Sequence, residues 1–133
     1  MSVVGIGVDI VEIARIEAAI SRQGDKFLER LFTSGEREYC ASMRVPAPFY
    51  AARFAAKEAV AKAFGTGICG RLGWQEIEVR RQESGLPYVV LHGPAVTLRA
   101  ELGISEILLS ISHAEHYAVA QAVALGERPA VVS

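Results

Sequence analysis

The sequence predicts a protein of the α/β or α+β class, with a compact, mostly antiparallel sheet and one long buried helix. Three observations carry this expectation. The chain opens on a β-branched run, residues 3–11, and later offers two pairs of short strands around turns, the pattern of antiparallel neighbours. Between them, residues 49–64 are apolar on every side at helical spacing. Strands and helices alternate irregularly, without internal repeats or a linker.

Each element has a local reason. In residues 3–11, Val4, Ile6, Val8 and Ile10 form an aliphatic face, while Val3, Gly5, Gly7, Asp9 and Val11 form the other. The two glycines leave room above that second face, and Asp9 stands at its far end. Ile13, Ile16 and Ile20 then recur at helical spacing, with Glu12, Arg15, Ala19 and Arg22 turned away. Gly24 stops this helix, and Asp25 caps a short one through Phe27, Leu28, Leu31 and Phe32. Thr33-Ser34-Gly35-Glu36 fits a capping box for a helix through Met43. Pro46 and Pro48 break the chain ahead of the long helix. Gly65, Gly67, Gly70 and Gly73 make the segment after it a mobile loop. Residues 76–81 alternate as a strand, Ser84-Gly85-Leu86-Pro87 is a turn, and residues 88–91 return. Pro94 begins a helix through Leu102 that Gly103 ends. Residues 106–112 and 117–123 make a last hairpin around 113–116. One domain is expected over 1–126, with a patternless tail over 127–133.

Composition narrows the function. A chain of 133 residues is one domain and buries roughly two-thirds of the surface its unfolded form exposes. Its 51% hydrophobic content is high for that size, so part of the apolar surface is expected between subunits. A net charge of −1, from 14 Lys+Arg against 15 Asp+Glu, argues against a general nucleic-acid binder. Cys40 and Cys69 have no metal-ligand spacing and are read as free thiols of a reducing compartment. The N-terminus lacks a basic segment and meets Asp9 too early for a signal peptide. No stretch approaches the ~18 apolar residues of a membrane span. The expectation is a cytoplasmic protein without nucleic-acid or membrane partners.

The long helix holds the candidate chemistry. From Phe54 to Gly65 it reads F-A-A-K-E-A-V-A-K-A-F-G, and only Lys57, Glu58 and Lys62 are charged. Glu58 and Lys62 share a face by their i,i+4 spacing, which alone fits an ordinary surface ion pair. The apolar surroundings favour another reading, because a desolvated acid and base need partners. A metal beside Glu58 and a phosphate beside Lys62 would satisfy both. Asp9 offers a second carboxylate, or else caps the following helix. Two carboxylates completed by phosphate oxygens and waters suit magnesium, whereas calcium wants more protein oxygens and zinc wants Cys or His.

Together these residues resemble a known family. Residues 5–16, GIGVDIVEIARI, resemble the first motif of the holo-acyl-carrier-protein synthases, the short-chain branch of the 4′-phosphopantetheinyl transferases. RFAAKEAVAKAFGTG, residues 53–67, is similar to their second motif, and Ser110-Ile111-Ser112-His113 to a third. GLPYVVLHG, residues 85–93, is also similar. The position after His113 is Ala114, where some members carry an acid or a threonine.

The resemblance implies transfer of 4′-phosphopantetheine from coenzyme A to a serine of apo acyl carrier protein, for fatty acid biosynthesis, with release of adenosine 3′,5′-bisphosphate. It implies Mg²⁺ on Asp9 and Glu58, and Lys62 on a diphosphate oxygen. Glu58 or a water on the metal would take the serine proton. Arg53, Lys57 and His113 are expected near the cofactor's phosphates or nucleotide. Arg15 and Arg22, seven apart with Ala18 and Ala19 between them, make a small cationic helix face. That face resembles the family's docking helix for acidic carrier proteins. A homotrimer of compact subunits, sharing the active site across an interface, is implied as well. Two other readings use the same residues: a metal-dependent diphosphate hydrolase, and a binding or scaffold module with a merely structural charged helix.

Overall fold

In a computed structural model, residues 1–128 are described. Strand β1 (Ser2–Glu12) lies beside β5 (Tyr117–Gly126), and β5 beside β4 (Ile104–His113), in one antiparallel sheet of order β1-β5-β4. Strands β2 (Ile77–Arg81) and β3 (Pro87–Leu91) form a separate antiparallel hairpin, so the expected sheet is in fact two. Among the described residues there are five α-helices: α1 (Ile13–Gln23), α2 (Asp25–Leu31), α3 (Ser34–Ala41), α4 (Ala47–Ala63) and α5 (Pro94–Glu101). A short 3-10 turn, Trp74–Glu76, leads into β2.

Helix α4 is the central element. Its residues Ala55, Ala56, Ala59, Val60, Ala61 and Ala63 are buried, and it lies on the inner face of the larger sheet. Strand β5 alternates strictly, turning Ala118, Ala120, Ala122 and Ala124 inward against it. Alanine on alanine allows a close approach, and on β1 the approach is closer still. A β-carbon built on Gly7 would lie 1.9 Å from the Ala59 carbonyl oxygen, and one on Gly5 equally close to that of Ala63. The room that the glycines leave is thus filled by the helix backbone. From Ile6 onward the aliphatic face of β1 points the other way and is uncovered in the single chain, with Ile6 66% exposed, Val8 58% and Ile10 64%; Val4, at the register shift between Val3 and Gly5, packs against the core instead.

The remaining helices follow their local signals, with a few shifts. Gly24 ends α1 at φ 60°, and its N–H reaches the Ile20 carbonyl at 2.7 Å. Ala19, expected outward, is buried, and Ile20 is only half-buried, because the stripe continues from Ile13 and Ile16 in steps of three. Asp25 does not cap α2; it is the first helical residue, and no side chain caps that end. The capping box is present: Glu36 N–H donates to Thr33 Oγ1 at 3.2 Å, and Thr33 N–H to Glu36 Oε1 at 2.8 Å. Helix α4 begins earlier than the prolines suggest. Pro48 falls in its first turn, where a missing N–H breaks no helical bond.

Cys40 is buried and Cys69 exposed, both free. Among the described residues, no helix is long and apolar enough to cross a membrane. Of the tail expected over 127–133, residues 129–133 lie outside the described residues.

Gly7→Ala should destabilise the fold by about 3 kcal/mol or more, since only backbone atoms stand in the way of the new methyl group. Urea unfolding of both proteins measures this, and unchanged stability would contradict the contact of α4 with β1.

Candidate active site

Helical pitch divides the polar side chains of α4 between two sides. Phe54, Glu58 and Lys62 follow one another at i,i+4 spacing on the side toward β1. Arg53 and Lys57 face α3 and the β2–β3 hairpin instead. Asp9 is on the inward, glycine-bearing face of β1, opposite Ala120 of β5. Because the two glycines bring α4 so near, Lys62 spans from the helix to the strand. Its Nζ donates to Asp9 Oδ1 at 3.0 Å and to the Val8 carbonyl at 2.9 Å.

Asp9 and Glu58 open into one cleft of about 490 Å³, walled also by Glu12, Arg15, Phe54 and Tyr117. Burial pushes the Glu58 carboxyl above the usual carboxylate range, the negative charge of Asp9 pushes it further, and Lys62 works against both. Two carboxylates that repel across a partly dry cleft are a site in want of a cation. Among the described residues, no cluster of three or more His, Cys, Asp or Glu offers an all-protein cage. The donor set therefore fits Mg²⁺, which binds through one or two carboxylates and takes its other ligands from substrate and water. Lys62 adds a fixed positive charge at the rim.

Arg15 stands at the mouth of this cleft, well exposed, with its Nε 3.6 Å from Glu12 Oε1. Arg22 is exposed in the last turn of α1, outside the cleft. Phe54 is a wall residue missed by the sequence reading, although its i,i+4 relation to Glu58 could have flagged it. Its ring stacks on Trp74 with centroids 5.0 Å apart.

Three expected cofactor contacts are not gathered here. Arg53 is only 1% exposed and its guanidinium lies 4.1 Å from the centre of the Tyr39 ring. It borders a separate cleft with Tyr39, Glu78, Arg80, Arg81 and Tyr88, and among the described residues its Nε and Nη1 have no hydrogen-bond partner. His113 ends β4, exposed, with its ring edge-on to Phe49 at 5.1 Å. Lys57 needs a correction. Its side chain is sealed from solvent in an ion pair with Glu36 at 2.6 Å and donates to the Trp74 carbonyl at 2.7 Å. Burial pulls the Lys57 ammonium below the usual lysine range, and the Glu36 carboxylate opposes that pull. A cofactor contact does not fit this placement. The Glu36–Lys57 pair had no sequence signal, because the partners lie far apart in the chain and Glu36 already had a role in the capping box.

Known proteins share this arrangement. Residues 5–122 match the family model of the 4′-phosphopantetheinyl transferase superfamily. A holo-[acyl-carrier-protein] synthase of Chlamydia pneumoniae is 47% identical over 129 residues, covering 94% of this chain and 99% of its own. The crystal structure of a holo-[acyl-carrier-protein] synthase from Neisseria meningitidis superposes with a TM-score of 0.88 at 36% identity, over 92% of this chain and 98% of its own. One from Bacillus anthracis, in complex with CoA (3′,5′-ADP), does so with a TM-score of 0.79 at 38% identity, over 96% of this chain and 100% of its own. Such identity over nearly the whole of both chains, on one fold and with the motif residues Asp9 and Glu58 in one cleft and Lys62 bonded to Asp9, places the chain in the 4′-phosphopantetheinyl transferase superfamily, on the branch of the holo-[acyl-carrier-protein] synthases.

Proposed function

We propose that this protein is a magnesium-dependent holo-[acyl-carrier-protein] synthase that moves 4′-phosphopantetheine from coenzyme A to a serine of apo acyl carrier protein. The observation that carries the reading is the meeting of Asp9 and Glu58 in one cleft, with Arg15 at its mouth and Lys62 bonded to Asp9. The carrier serine oxygen forms a bond to the β-phosphorus of coenzyme A. The bond from that phosphorus to the bridging oxygen breaks, and adenosine 3′,5′-bisphosphate leaves. The serine proton passes to a base in the cleft.

Asp9 and Glu58 are the residues to hold Mg²⁺, whose charge, when bound, offsets that of the diphosphate. Lys62 stabilises negative charge on a diphosphate oxygen as it builds. Phe54 and Tyr117 narrow the cleft and limit water around the reacting groups. Arg15 and Arg22 meet acidic side chains of the carrier. That Arg15 borders the cleft itself favours a protein acceptor over water and sets this reading above a hydrolase. Work on carrier proteins of fatty acid synthesis agrees with a cytoplasmic location.

The uncovered sheet face supports a homotrimer. Ile6, Val8 and Ile10 of β1 join Leu108 of β4 and Val119 of β5 in one exposed apolar surface, a kind that marks an interface. Lys62 borders a crevice with Ile6, Val8 and Gln121, so the catalytic rim runs into that surface. A neighbouring protomer is then in position to add basic groups such as Arg53 and His113, which lie apart from Asp9 and Glu58 within one chain.

Three measurements test these assignments. Glu58→Gln should lower transfer to apo carrier by ~100-fold or more and abolish the rise in melting temperature that Mg²⁺ gives the unaltered protein. Full activity with no magnesium requirement would leave only a structural role for the charged helix. Arg15→Glu should weaken carrier binding by ~10-fold or more while coenzyme A affinity survives; equal carrier affinity removes the docking role. Light scattering should give three times the chain mass for the unaltered protein and a smaller species for Ile6→Asp. A monomer in both cases rejects the shared site.

A further inference from the structure

Lys57 is sealed from solvent, yet it directly precedes Glu58. We propose that the Glu36–Lys57 ion pair is a positioning device for the transfer reaction, setting the rotation of α4 that aims Glu58 and Phe54 into the cleft.

The carboxylate of Glu36 is fully used. Its Oε1 accepts from Lys57 Nζ at 2.6 Å and from Thr33 N–H at 2.8 Å, and its Oε2 accepts from Val79 N–H at 2.8 Å. One buried group thus ties the start of α3, the middle of α4 and strand β2 together. Lys57 Nζ also donates to the Trp74 carbonyl and lies 5.5 Å from the centre of the Phe32 ring.

Two links carry this anchor to the cleft. Neighbouring residues project about 100° apart around a helix axis, so fixing the direction of Lys57 fixes that of Glu58. Trp74, held by its carbonyl, stacks its indole on Phe54, a wall of the cleft. The anchor therefore bears on two cleft residues from behind.

Stability alone does not call for an ion pair at this position. Well-packed apolar residues of similar volume commonly stabilise a core as well as a buried pair, or better. What an apolar pair lacks is direction. Toward the larger sheet the α4 surface is mainly alanine, resting on glycine and alanine, and small side chains resist rotation about the helix axis poorly. Hydrogen bonds of fixed geometry at Lys57 supply that resistance.

The test compares the unaltered protein with Glu36→Gln, Lys57→Met and the double variant Glu36→Leu/Lys57→Met. Each is assayed for kcat, melting temperature, Mn²⁺ affinity and coenzyme A affinity. Each single variant should melt lower, since it strands a buried partner. The double variant strands no charge but takes the acceptor from the Thr33 and Val79 N–H groups, so it should fold and melt below the unaltered protein. Its kcat should fall roughly tenfold or more and its Mn²⁺ affinity several-fold, with coenzyme A affinity retained. A stable double variant with unaltered kcat overturns the proposal. So does a loss confined to coenzyme A affinity, which would return Lys57 to direct ligand contact. Should the double variant not fold, near-isosteric Glu36→Gln decides below its own melting temperature, reduced kcat supporting the proposal and unaltered kcat overturning it. The Mn²⁺ readout rests on Glu58 as a metal ligand, and Glu58→Gln is its separate control; the kcat readout does not depend on that role.

Discussion

The backbone of α4 touches the backbone of β1, and the rest of the molecule is arranged around that contact. Gly5 and Gly7 have no β-carbon to hold the helix off, and the alanines of α4 and β5 continue the same close fit across the sheet. Packing this tight gains dispersion at many atoms and leaves no tolerance for a methyl group. It also determines what the helix can do. Asp9 is two residues beyond Gly7 on the same face of β1, so its carboxylate falls within 3.0 Å of Lys62 Nζ. A bulkier strand would lift α4 away, and Glu58 and Lys62 would no longer share a cleft with Asp9. The glycines that close the core are also what builds the site.

With the helix held so near, its charges must be divided. The side facing α3 and β2 carries a sealed pair, Glu36–Lys57, whose groups are consumed by protein partners. The side facing β1 carries Glu58 and Lys62 at the edge of a cleft, with capacity left over. Desolvation acts on both sides with opposite results. Behind the helix it is offset by fixed hydrogen bonds, giving rigidity. In front it leaves Glu58 beside another carboxylate, which disfavours its charge. Adjacent residues of one helix thus divide structure from chemistry.

Much of this was legible in the chain. Capping signals such as Thr33 and Glu36, the stop at Gly24 and the start at Pro94 act over a few residues and were read correctly. That Asp9, Glu58 and Lys62 come together was legible because Glu58 and Lys62 are unusual on an apolar helix and Asp9 ends a glycine-bearing strand face. What was not legible has a common cause. The fate of Lys57 depended on Glu36, a partner remote in sequence, and that of Arg53 on the ring of Tyr39 and the β2–β3 hairpin. Local spacing carries no information on such meetings. Asp25 shows the smaller version: a residue type suited to capping lost the position because Gly24, at positive φ, made the joint between two helices by itself.

The exposed aliphatic face of β1 gives the apolar excess of the composition a location. Strand residues alternate, so the glycines that admit α4 on one side oblige Ile6, Val8 and Ile10 to point to the other. Since Val8 also offers its carbonyl to Lys62, the apolar face reaches the edge of the candidate site. A second protomer covering that face would come to the edge of the site without further design. Within one chain, Arg53 keeps two buried nitrogens without partners among the described residues, on the far side of α4 from Asp9. An orphaned guanidinium is costly, and that cost is reasonable where an anionic group arrives to meet it. In the proposed assembly through the sheet, one long anionic cofactor would use both sides of the helix: the acids of one protomer and the buried arginine of the next.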